Sequence, residues 1–159
     1  MVDGVGFDKK EILIFARKQT ITGALLIMEN ETEKINELMR EGEMAQRNED
    51  LGKSLGYYSK AMDVLVARAK AYAQKAEPAV MEAIVGSGVV SAQYLSKFNE
   101  YLKKDHTAAI VSNNMAMLFA KMGNKASARD FFEQAIDLTP SGAAYDDPHI
   151  GLEMLKKMG

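Results

Sequence analysis

The chain has 159 residues, 47% hydrophobic and 26% charged, enough for one domain with a hydrophobic core. Its net charge of −2 gives no electrostatic basis for binding nucleic acid, which needs a clustered basic surface. Cysteine is absent, which excludes disulfides, thiolate nucleophiles and thiolate metal sites and fits a reducing compartment.

The opening MVDGVGFDKKE has no basic start leading into an apolar run and no Gly at position two, so neither a secretory signal nor myristoylation is expected. Residues 1–7 read as a loose arm. Asp8 followed by Glu11 opens a helix over 8–28, with Ile12, Leu13, Phe15, Ala16, Leu25 and Leu26 on its apolar face; a short strand over Ile12–Phe15 competes, but no partner strand follows. Arg17, Lys18 and Gln19 interrupt that stretch, and a membrane span needs about 20 mostly apolar residues. No span is therefore expected, and the expected location is cytoplasmic.

Thr32 is the expected cap of the next helix, which carries Ile35, Leu38, Met39, Gly42 and Ala45 on one face and mostly acidic residues elsewhere. From Leu51 the apolar positions Leu51, Leu55, Tyr58, Met62, Leu65, Ala69, Tyr72 and Ala76 alternate in steps of four and three, a heptad-like seam. A helix over 51–76 would be roughly 39 Å long. Glu77-Pro78 predicts a turn, because proline fits the first turn of a helix far better than its interior, with one kinked continuous helix as the alternative. A long helix is expected over 78–104. Gly86-Ser87-Gly88 weakens it by about 1 kcal/mol per glycine, so either another helix packs very close there or the helix breaks.

Asp105 can cap a helix from His106 to Met122. Gly123 then stops that helix and Asn124 caps another, Lys125 to Leu138, which Thr139-Pro140 closes. Asp147-Pro148 starts a last helix over 147–158, with Leu152, Leu155 and Met158 apolar and Lys156 and Lys157 suited to its C-terminal dipole.

No acid–base constellation emerges. The two histidines, His106 and His149, sit near helix starts in unrelated segments, and helix initiation accounts for Asp146 and Asp147 beside His149. Gly86-Ser87-Gly88 follows no strand and precedes no Gly-Lys-Ser/Thr, so it is not a phosphate loop. The expectation is a non-enzyme without metal or cofactor. The eleven methionines suit core filling, and also adaptable binding surfaces.

The stretch Ala109–Pro140 resembles a tetratricopeptide repeat (TPR), a 34-residue helix–turn–helix unit. Ala116, Phe119, the turn Gly123, Ala128, Phe132, Ala135 and the ending Leu138-Thr139-Pro140 carry the likeness; Ser112 departs from it, standing where the family prefers a large apolar residue. A fainter copy from Ile35 to about Arg68 has Leu38, Gly42, Ala45, Ser54, Tyr58 and Ala61 in the equivalent places. It has Glu49 in place of the turn Gly and lacks the closing Pro. The two copies lie 74 residues apart.

The resemblance implies an all-α, TPR-like right-handed stack of antiparallel helical hairpins, about seven helices in one domain over 1–159. A diverged repeat would cover 32–76, an elongated central hairpin would involve 78–104, a clear repeat would cover 106–140, and 147–158 would be a capping helix. It further implies a non-enzymatic adaptor or scaffold that binds a peptide or helix of another protein in a groove lined by the first helix of each repeat. The groove-facing residues would be Asn113, Met117 and Lys121 in the clear copy and Asn36, Met39, Glu43 and Arg47 in the faint one. Met117 and Glu43 do not fit the carboxylate clamp of the family's chaperone co-factors, so that clamp is not expected. A structural reading is the alternative, in which the 51–76 seam and the 78–103 helix assemble copies of the chain. A small-ligand pocket or enzyme within the bundle is a third.

Overall fold

A computed structural model describes residues 30–86 and 92–159, and the side chains of all of these except 83–86 and 92–95. The arm expected at 1–7, the helix expected at 8–28 and Ser87-Gly88 lie outside the described residues. Those residues hold seven helices and no strand, as an all-α class requires. They are α1 over 30–47, α2 Leu51–Ala76, α3 Pro78–Gly86, α4 Ala92–Leu102, α5 Thr107–Lys121, α6 Lys125–Asp137 and α7 Asp147–Lys157.

The chain divides into two compact units, Met1–Asn36 and Glu37–Gly159. The described part of the first is the opening of α1, which already runs from residue 30, so Thr32 lies inside the helix rather than at its cap. Ile35 is buried there.

In the second unit two helix–turn–helix corners are built alike. After α1, the N–H groups of Asn48, Glu49 and Asp50 donate to the carbonyls of Met44, Gln46 and Ala45 at 3.1, 3.0 and 2.9 Å. After α5, those of Met122, Gly123 and Asn124 donate to Leu118, Ala120 and Phe119 at 2.9, 3.1 and 2.9 Å, each donor and acceptor 74 positions on from its counterpart. Both corners have a left-handed residue, Glu49 at φ 61° and Gly123 at φ 80°. Both then cap the next helix with a side chain: Asp50 accepts from the Lys53 N–H and Asn124 from the Ser127 N–H, each at 3.1 Å. This is a Schellman closure followed at once by an N-cap.

Glycine is thus absent from the first corner while the backbone keeps the conformation that favours glycine. A Cβ in that region costs roughly 1–2 kcal/mol, partly offset by the greater unfolded-chain freedom of glycine. Glu49 is exposed. Glu49→Gly is expected to raise the unfolding free energy by about 0.5–1 kcal/mol, read as a higher urea midpoint at unchanged slope.

The inner stripe of α2 differs from the expected seam. Tyr58, Leu65 and Ala69 are buried as expected, but the stripe is completed by Ser54, Ala61 and Ala73. Leu51, Leu55 and Met62 are half-buried, and Tyr72 and Ala76 are exposed. The reason is close approach: Ser54 Oγ donates to the Gly42 carbonyl at 2.6 Å, and Tyr58 packs its ring on the Gly42 backbone. At that approach Ser54 fits because its side chain is small, and Tyr58 fits because Gly42 has no Cβ. Burial, then the charge of Glu43, raises the Tyr58 phenol pKa.

The turn at Glu77-Pro78 is present, with Glu77 extended at φ −140° and Pro78 the first residue of α3. The helix expected over 78–104 is two helices. α3 ends at Gly86, α4 begins at Ala92, and the two pack against each other. In one straight helix Gly86 and Ala92 would be about 9 Å apart, beyond contact. Two glycines in three residues removed the propensity that a continuous helix needs. α2 packs along α3, α4 and α5; α5 pairs with α6; α7 closes on α6 and touches α5.

Candidate functional site

The core beneath the site comes from the α5–α6 hairpin. Ala116, Ala128, Phe132 and Leu155 form a buried cluster, flanked by Phe119, Ala120, Phe131 and Leu152. Phe119 and Phe131 stack with centroids 5.3 Å apart. Ser112, expected to be an oddity, is fully buried, and its hydroxyl is directed at the Phe131 carbonyl and Gln134 Oε1 at 3.2 and 3.0 Å. It ties α5 to α6 by hydrogen bonds instead of by a large apolar side chain.

α7 seats on this hairpin. Asp147 opens it, Pro148 is buried in its first turn and Leu155 faces the core. Gly151 lies so close to the Phe132 ring that a Cβ there would overlap it. Lys125 Nζ donates to the Met158 carbonyl at 3.0 Å and pins the far end of α7. Tyr145, just before α7, packs edge-on against His106 at 5.2 Å. Burial and then the Asp147 carboxylate push its phenol up to about 12, against a smaller opposing hydrogen bond from Asn113.

Between α5 and α7 a groove of about 360 Å³ remains open. Asn113, Met117, Ala120 and Lys121 form one wall, Ile150, Gly151, Met154 and Met158 the other, with Phe132 and Leu155 beneath and Asp147 at one end. Met117, Ile150, Met154 and Met158 are 41, 56, 60 and 57% exposed, a cluster of large apolar side chains in contact with solvent. Asn113 is 3% exposed, and its Nδ2 donates weakly to Met117 Sδ at 3.8 Å. Its Oδ1 has no hydrogen-bond partner in the protein.

The three residues singled out on α5, Asn113, Met117 and Lys121, therefore line one groove. Met39, Glu43 and Arg47 lie on α1, Met39 half-buried and the other two exposed, and do not line it. Asn36 is exposed and belongs to the first unit. The second wall is what sequence reasoning missed. Leu152, Leu155 and Met158 read as the apolar face of the last helix, yet Met158 joins Ile150 and Met154, at four-residue spacing, on a second face. An eleven-residue helix with two apolar faces can bury one on its own hairpin and leaves the other available.

No helix among the described residues is long and apolar enough to cross a membrane. Comparison with protein-family models, curated proteins and solved structures finds no match for this chain.

Proposed function

We propose that the protein is a non-enzymatic, TPR-like adaptor that holds a peptide or helix of a partner protein in the groove between α5 and α7. One observation carries this reading: four large apolar side chains of mobile or branched type, Met117, Ile150, Met154 and Met158, are exposed together around a concave site. Contiguous exposed apolar surface marks interaction sites, and thioethers adapt their shape to an occupant. Lys121 at the wall supplies a charge that orients an acidic neighbour. The TPR-like reading draws support from the two matching corners and from the small–aromatic packing of Gly42 with Tyr58, and of Ala116 and Ala128 with Phe132. The alternative, assembly of copies through the α2 seam, is less favoured. Its best residues, Tyr58, Leu65 and Ala69, are already buried within the chain.

The test is selection from a random peptide library displayed on phage. The intact protein enriches apolar peptides with an acidic flank, and Met117→Glu with Met154→Glu lowers their affinity by about tenfold or more while the helical circular dichroism persists. Peptides that bind the double variant as well as the parent would place recognition elsewhere.

A further inference from the structure

A second cavity lies on another part of the same unit, and its chemistry differs from that of the apolar groove. About 540 Å³ in volume, it opens between the last half of α2, the end of α4 and the connection into α5. Its floor is apolar: Leu65, Ala69 and Leu102 are buried at 2, 2 and 4% exposure. Its upper wall carries Arg68, Tyr72, Lys75, Tyr101, Lys104 and His106. A volume of this size is typical of pockets for small organic molecules.

The charge balance is lopsided for a chain whose net charge is −2. Three cations face one carboxylate, Asp105, and that carboxylate is already engaged. Its Oδ2 accepts from Arg68 at 3.1 Å and its Oδ1 accepts from the Thr107 N–H at 3.1 Å. Glu77, beside the wall, accepts from the Tyr101 hydroxyl at 2.5 Å, which raises the Tyr101 phenol pKa. Lys104 lies over the Tyr101 ring at 4.9 Å, and Lys75 is exposed; neither is in an ion pair among the described residues. His106 has its Nε2 buried without a hydrogen-bond partner. Two aromatic rings and an apolar floor thus sit under a rim on which Arg68 is paired with Asp105 while Lys75 and Lys104 are in no ion pair among the described residues. Lys75 and Lys104 are both exposed, so their charge favours an anion over a neutral body of the same shape through an attraction that salt screens.

We propose that this cavity binds a small amphiphilic anion, a flat apolar body bearing a carboxylate, phosphate or sulfonate group. The body lies on Leu65, Ala69 and Leu102 between Tyr72 and Tyr101, and Lys75 and Lys104 meet the anionic group. This site is independent of the peptide groove and stands or falls without it.

The experiment uses the intact chain and two dyes of similar shape, the anionic 8-anilinonaphthalene-1-sulfonate and the neutral N-phenyl-1-naphthylamine. The expected result is blue-shifted fluorescence with one equivalent of the anionic dye, bound about tenfold more tightly than the neutral one and weakened by added salt. Lys75→Gln with Lys104→Gln abolishes that preference and leaves the neutral dye's affinity within about twofold. Ala76→Trp, which fills the mouth, excludes both dyes. Met154→Glu in the other groove changes neither. Equal affinity for the two dyes, an anionic-dye affinity untouched by the double substitution, or loss of binding with Met154→Glu would each overturn the assignment.

Discussion

Phe132→Ala is expected to lower the unfolding free energy by about 3–5 kcal/mol. That is a large share of the roughly 5–15 kcal/mol available to a domain. Phe132 is 2% exposed and sits at the point where α5, α6 and α7 meet. Its ring packs with Ala116, Ala128 and Leu155 and touches the Gly151 backbone. Ala116, Ala128 and Gly151 are too short to move into the space it leaves, so much of the cavity persists and its cost is felt. The ring also lies beneath the groove, so its loss should loosen α7 before the rest of the unit unfolds. Urea denaturation reads the stability, and amide exchange in α7 reads the local loosening. A loss below about 1 kcal/mol would mean that α7 does not seat on Phe132 as described.

The second large effect reverses the usual sign of a glycine substitution. In a helix, Gly→Ala normally stabilises by about 1 kcal/mol. Gly52 and Gly56 in α2 are exposed with open space around them, and alanine at either should give that gain. At Gly42 a Cβ would lie 2.6 Å from Tyr58 Cε1 and 2.9 Å from two further ring carbons. Tyr58 is 1% exposed and has nowhere to swing. Gly42→Ala is therefore expected to destabilise by about 1–3 kcal/mol, its helix propensity notwithstanding. The separation between Gly42→Ala and Gly56→Ala in the same denaturation series is the decisive quantity. Equal gains at both positions would deny the close contact between α1 and α2.

Local punctuation was the part of the fold most legible in the sequence. Asn124 satisfies a free backbone N–H, Gly123 takes the left-handed turn, and Pro78 and Pro148 fit only the first turn of a helix, so these residues mark helix ends from one dimension. The register of α2 was less legible because close packing selects small residues. Ser54, which meets Gly42, is buried while Leu51 and Met62 are only half-buried, and hydropathy ranks them the other way. Glu49 hid a corner because its conformation is imposed by the hydrogen bonds on either side, not by its own preference.

The candidate groove was half legible. Its α5 wall followed from what the tetratricopeptide resemblance implies for Asn113, Met117 and Lys121. Its α7 wall depends on which of two apolar faces of that helix Phe132 claims, and that is a tertiary fact. The cationic cavity was not legible at all. Arg68 and Asp105, which frame it, are 37 residues apart in sequence and meet through the packing of α2 against α4 and α5.

The methionines supply the most direct test of the groove. With methyl-¹³C methionine, NMR titration of the intact protein with a peptide selected as above should move the Met117, Met154 and Met158 methyl signals, all of which line the groove. Met81 and Met115, buried at 4 and 6% exposure, should stay in place. Shifts confined to Met44, on the α1 face, or shared equally by all the methyls would contradict the proposal that the α5–α7 groove is where this protein holds its partner.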